Sequence, residues 1–108
     1  NMIIDFQNVE KQAYPNFKGG ENTVFLKRIE IDNIKYIEGV IPTGASIGLH
    51  MHVGETETIR ILEGNANLLY EGVEYKLAAG NVHFCDNGRS HSLSNESEED
   101  LVFFAIIK

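Results

Sequence analysis

Cysteine, cationic side chains and long apolar runs are what this 108-residue chain has least of. A single cysteine, Cys85, excludes an internal disulfide framework and fits a reducing compartment, so the expected location is cytoplasmic. No apolar run approaches the ~18 residues that a membrane span needs, and no secretory leader is expected at the start. Nine Lys plus Arg stand against 16 Asp plus Glu, a formal net charge of −7. The longest basic run is Lys27-Arg28, far short of the clustered cations that phosphate backbones require. Nucleic acid and membrane are therefore not expected partners. CxxC zinc spacing and a Walker-type phosphate loop are also missing. Finally, no window of 12 or more residues carries a helical apolar stripe uninterrupted by glycine or a turn cluster.

What is present reads as strands and turns. Gly44, Gly54, Gly64, Gly72, Gly80 and Gly88 recur every 8 to 10 residues, each in or beside a turn-forming cluster. Between them lie short apolar or alternating runs: 23–31, 35–41, 46–52, 58–62, 66–70, 73–77, 82–85, 90–94 and 101–107. Their β-branched and aromatic residues suit a pleated surface. Such spacing predicts an all-β sandwich or barrel in one domain. Residues 22–108 form the expected barrel, and residues 1–21 an arm or strand. Asp5–Tyr14 fits either a short helix or an extended segment.

Chemistry concentrates in GASIGLHMHVGETETIRILEG, Gly44 to Gly64. In a strand, side chains two apart share a face, so His50 and His52 point one way and Leu49, Met51 and Val53 the other. Gly54 permits a turn, and Glu57 opens the next run with Ile59 and Ile61 on its face. Two imidazoles and a carboxylate on an expected hairpin partner can meet at one point. His91, in NGRSHSL, supplies a fourth group. Three nitrogens and one oxygen suit a divalent transition metal (Fe, Mn, Ni, Zn, Co or Cu) better than Ca or Mg. The spacing Gly-x5-His-x-His-x4-Glu-x6-Gly would arise by chance in about one chain in ten thousand of this composition.

That spacing, on Gly44, His50, His52, Glu57 and Gly64, resembles the first motif of the cupins. The second cupin motif is matched by Gly80, Gly88, His91 and Asn95, with Asp86 standing where proline is usual. Asp86-Asn87-Gly88 forms a turn as readily as proline does, so the departure leaves the expected fold intact. The chain is similar to small single-domain cupins of the conserved-barrel type. The resemblance implies a double-stranded β-helix, or jelly roll, with His50, His52, Glu57 and His91 binding one metal inside the barrel. It also implies pairing as a homodimer, often through N-terminal strands.

Other residues carry weaker signals. His83 shares a strand face with Cys85, and the plainer reading is a packed histidine beside a buried thiol. Arg89 is placed on a turn at the cavity rim, able to hold an anionic group, although a solvated turn arginine is the simpler alternative. Ile59 is expected on the cavity wall, and Arg60 on the opposite, outward face. His83, Arg89 and Ile59 are thus the candidate substrate contacts. Tyr36, Tyr70 and Tyr75 are expected in the core or at an interface. No nucleophile and no second carboxylate is evident near the ligands. A three-His, one-Glu site leaves coordination positions open to a small molecule, the mark of a catalytic rather than closed structural site. The expectation is a metal-dependent enzyme of dioxygenase, decarboxylase or isomerase type acting on a small oxygen-rich organic compound. The alternative is a non-catalytic small-ligand-binding or sensor domain.

Overall fold

The computed structural model describes residues 3–108. Its strands are β1 (Gln12–Pro15), β2 (Thr23–Ile31), β3 (Ile34–Ile41), β4 (Ser46–Met51), β5 (Glu57–Glu63), β6 (Asn65–Tyr70), β7 (Val73–Ala78), β8 (Val82–Cys85), β9 (Ser90–Ser94) and β10 (Leu101–Ile107). Every run expected to be extended is a strand, with ends within one residue of expectation. The N-terminal segment combines both readings. Phe6–Asn8 makes one 3-10 turn, and β1 then pairs with β2 from Gln12↔Leu26 to Pro15↔Thr23. A second 3-10 turn, Phe17–Gly19, leads into β2.

Two antiparallel sheets face each other, β1-β2-β3-β10-β5-β8 and β4-β9-β6-β7. This is the jelly-roll sandwich, and it corrects one local expectation. β4 and β5 are not hairpin partners: β5 pairs with β10 and β8, while β4 pairs with β9 in the other sheet. The turn at Gly54 therefore carries the chain from one sheet to the other.

Side chains on the inner faces change character with depth. On β2 the inward series runs Val24, Leu26, Arg28, and on β3 it runs Ile41, Gly39, Ile37, Lys35. β5 runs Ile61, Ile59, Glu57, and β9 runs Leu93, His91. One end is thus packed with aliphatic and aromatic side chains, including the buried Val24, Ile41, Ile61, Leu101 and Phe103. The other end holds histidines, a carboxylate and cations. Alternation alone produces this, because residues two apart share a face and only their identity differs.

The core end is tightly filled. Gly39 lies where a Cβ would run into the Phe103 ring, so its missing side chain is what lets Phe103 pack close against β3. Asn95 is 1% exposed and fully bonded: its amide donates to the carbonyls of Ile41 (2.7 Å) and Glu99 (2.8 Å) and accepts from Ser97. It ties the loop before β10 to the end of β3. Overpacking a filled core costs about 1–3 kcal/mol, so Gly39→Ala should lower the thermal midpoint by several degrees. Adding Phe103→Leu should recover part of that loss. A midpoint unchanged by Gly39→Ala in calorimetry would contradict this packing.

Candidate metal centre

The four histidines of the chain and Glu57 meet at the polar end of the barrel, drawn from both sheets. β4 supplies His50, and His52 follows directly after it. His91 is the second residue of β9 and sits opposite His50 in the ladder. Glu57 reaches across from β5 in the other sheet. One ligand atom from each of His50, His52, Glu57 and His91 lies within 4.8 Å of all the others, and such a group could hold a metal ion.

A bulge in β4 makes this possible. Ile47 pairs with Leu93 and His50 with His91, so one extra residue is accommodated between the two pairs. Strict alternation would turn Ile47 and the histidines to opposite faces. The extra residue instead lets Ile47 enter the core while His50 also faces the cavity, and leaves Leu49, Met51 and Val53 exposed. Gly48 lies within this irregular stretch, and a Cβ there would meet the backbone of Lys18 and Gly20 from the second 3-10 turn. Expecting an unbroken strand over 46–52 missed this bulge. The turn carrying His91 is fastened to the same segment. Gly88 N–H donates to the His52 carbonyl (2.6 Å), His52 N–H to the Arg89 carbonyl (3.1 Å), and Gly54 N–H to Asn87 Oδ1 (2.7 Å).

Each ligand imidazole is oriented through its Nδ1. His50 Nδ1 lies 2.8 Å from the Gly48 carbonyl and His52 Nδ1 lies 2.7 Å from Glu55 Oε2. Both partners only accept, so both Nδ1 atoms carry the proton. His91 Nδ1 lies 3.0 Å from His83 Nε2. His83 is buried, and that burial, with His91 beside it, pushes its pKa down to about 4. Neutral His83 can therefore accept from His91. When all three Nδ1 atoms donate outward, all three Nε2 lone pairs point inward, the arrangement by which outer partners fix metal-bound histidines.

The inner separations fit a cation. His52 Nε2 lies 3.0 Å from His91 Nε2, and Glu57 Oε1 lies 2.9 Å from the first and 3.1 Å from the second. Ligands bonded at about 2.1 Å and set at right angles stand about 3.0 Å apart. Two bare nitrogen lone pairs at that distance would repel, so positive charge belongs between them. Either a metal ion or protons can supply it. Burial alone would raise the Glu57 pKa, but hydrogen bonds from His52 and His91 hold it at about 2. The bond to Glu57 raises His52 above the ordinary histidine value against the opposing effect of burial, and Glu55 adds to that rise. His50 is lowered, mainly by burial.

The remaining expected residues fall in different places. Ile59 lies on the wall of the cavity above the site, as do Met51 and Leu93. His83 stands behind His91, away from the cavity lining, with the Tyr70 ring edge-on at 5.0 Å. A second group, His83, Cys85 and His91, also has its donor atoms within 4.8 Å, but it shares His91 with the first. Burial and nearby carboxylates push the Cys85 thiol up to about 11, which leaves it unreactive. Arg89 points outward, more than half exposed, and pairs with Glu71 at 3.1 Å rather than lining the cavity. Arg60 also faces outward, as expected, and Tyr75 is exposed.

Several functional groups were missed from sequence. Glu55 is a second carboxylate beside the ligands and lines the cavity. Lys18, Arg28 and Lys35 also line it. Their signal was parity: Arg28 shares a face with Leu26, and Lys35 with Ile37. The cavity measures about 170 Å³, below the range of sites for drug-sized ligands.

Comparison with known proteins agrees with this architecture. The cupin-domain family model matches residues 38–107, and the chain belongs to the cupin family. It is 30% identical over 112 residues to the oxalate-binding protein of Thermotoga maritima, covering 98% of this chain and 93% of that one. The solved structure of a predicted oxalate decarboxylase from Thermotoga maritima superposes with a TM-score of 0.92 at 30% identity, covering 98% and 97% of the two chains. A sugar phosphate isomerase of the cupin superfamily from Silicibacter pomeroyi shares the fold alone, with a TM-score of 0.82 at 17% identity, covering 98% and 74%. Among the described residues, no helix is long and apolar enough to cross a membrane.

The hydrogen bonds predict a proton linkage. Metal ligation needs His52 Nε2 bare, so the proton that raises the His52 pKa must leave. Metal affinity should fall about tenfold per pH unit below the His52 pKa and level off above it. Glu57, at about 2, adds nothing in that range. Competition titrations between pH 5 and 8 would show the slope, and a flat profile would contradict it. Glu55→Ala should weaken metal binding about 10- to 100-fold with the fold retained, and unchanged affinity would remove Glu55 from the orienting role.

Proposed function

We propose that this chain is a metal-dependent enzyme acting on a small oxygen-rich organic acid at His50, His52, Glu57 and His91. The observation that carries the reading is the convergence of one nitrogen from each of three histidines and one carboxylate oxygen on a small cavity. A divalent transition metal held there would supply Lewis acidity and, if redox-active, oxygen chemistry. The protein's own part is to fix the imidazoles through Gly48, Glu55 and His83, and to shield the reacting end of the ligand with Ile59 and Leu93. Glu55 also lines the cavity, so it is the side chain placed to take or return a proton. The relative named for binding oxalate supports an acid of that type as ligand.

That same name favours a second reading, in which the acid is bound without turnover. Elemental analysis of protein purified without chelator, beside a His50→Ala/His91→Ala variant, tests the shared part. About one metal per chain should be found, and it should be lost in the variant while circular dichroism is unchanged. Failure to take up Fe, Mn, Ni, Zn, Co or Cu would overturn both readings. Incubating the loaded protein with oxalate then separates them: loss of oxalate supports the enzyme, and tight binding of intact oxalate supports the binding domain.

We further propose a cytoplasmic homodimer. The outer face of the six-stranded sheet carries half-buried Phe25, Val40, Val102, Phe104 and Ile106, and Phe6 from the N-terminal turn packs edge-on to Phe104 at 6.1 Å. Light scattering at micromolar concentration should give twice the chain mass of 12.1 kDa, and a monomer would contradict the pairing.

A further inference from the structure

Arg28 and Lys35 line the cavity of an acidic protein, yet among the described residues neither forms an ion pair. The acids nearest in the architecture do not compensate them. Glu57 is engaged by His52 and His91, and Glu55 by His52. Glu30 stands across the ladder from Lys35 but makes no ion pair with it and does not line the cavity. Lys18 adds a third cation on the cavity wall, its Nζ 5.4 Å from the Phe17 ring centre.

The sheet register places these cations relative to the metal ligands. Lys35 pairs with Ile107, and Ile107 pairs with Glu57, so the three form one row across the inner face. Two strand spacings separate the Lys35 and Glu57 backbones by about 10 Å. Arg28 pairs with Ile37, in the row that runs through Ala105 to Ile59. Ile37, Ile59 and Ile107 all line the cavity, so an apolar stretch of wall lies between the ligand cluster and the cations.

We infer that the cavity is built for a dicarboxylic acid lying lengthwise, its chelating head at the His/Glu cluster and its far carboxylate between Arg28 and Lys35. The inference rests on the metal-binding reading and narrows its ligand class. The guanidinium presents paired donors that match a carboxylate, and Lys35 adds a mobile charge. The intervening isoleucines contact a short methylene chain. Oxalate chelated through both ends would leave Arg28 and Lys35 without a carboxylate, so the favoured ligand is longer than oxalate.

A matched pair of probes tests this. 2-Oxoglutarate and 2-oxovalerate share the same five-carbon chain and 2-oxo acid head and differ in whether the far end is a carboxylate or a methyl group. The protein is titrated with Co(II), and the visible spectrum of the loaded protein then follows the binding of each acid. At low ionic strength 2-oxoglutarate should bind about tenfold more tightly, as expected for two partly exposed cations, and salt should reduce the preference. In the Arg28→Gln/Lys35→Met variant the preference should disappear, while Co(II) uptake and 2-oxovalerate affinity stay unchanged. Equal affinities in the wild type, no response to either acid, or a preference that survives in the variant would overturn the inference and leave the metal centre standing. Failure of Co(II) to bind would instead overturn the reading on which it rests.

Discussion

At the polar end of the barrel, His52 Nε2 and His91 Nε2 are held 3.0 Å apart, with one oxygen of Glu57 about as close to each. Atoms with lone pairs do not rest at that distance unless positive charge lies among them. The hydrogen bond between His52 and Glu57 raises the pKa of the histidine and helps keep the buried carboxylate ionised. The groups behind the ligands settle where else protons can go. The Gly48 carbonyl and the Glu55 carboxylate each claim an Nδ1–H, and His83 is neutral and able to accept a third. The inner nitrogens are left available as ligands, so that a metal held there would compete with protons for one place.

Holding such a cluster requires both sheets. A single hairpin could carry His50 and His52, but Glu57 approaches from the facing sheet and His83 braces His91 from that same side. The sandwich thereby sets the distance across which the ligands meet. The opposite end supplies the packing, with Phe103 laid over Gly39 and Asn95 fastening the last loop. Burying titratable groups is unfavourable, and the apolar end gives the domain the stability to hold them in place. The division follows from pleat geometry: one inward row per strand, apolar at one end and polar at the other.

Much of this was readable from residue order. Turn clusters at regular intervals marked the strands to within a residue, because Gly, Asn and Asp adopt backbone shapes that strands exclude. His50 and His52 were readable together because residues two apart in a strand share a face, and Glu57 and His91 were readable through motif spacings that resemble those of the cupins. The bulge at Gly48 was not, since an extra residue shows only against a partner strand, and alternation reports a face without saying which sheet owns it. Glu55 and His83 orient ligands through approaches between segments distant in the sequence or across a turn, and no local pattern marks them. Arg89 drew attention through its nearness to His91 along the chain, yet it pairs with Glu71 outside. Arg28 and Lys35 share inward faces with Leu26 and Ile37, a signal that was present in the alternation.

The central claim is that all three ligand imidazoles present Nε2 inward because each Nδ1–H is committed outward. Long-range 15N–1H correlation spectra of the Zn(II)-loaded protein measure this directly, as they distinguish the two ring nitrogens of each histidine. His50, His52 and His91 should all carry the proton on Nδ1 and show a metal-shifted Nε2, with His83 neutral and unshifted. A ligand histidine protonated at Nε2, or spectra unchanged by Zn(II), would contradict the account.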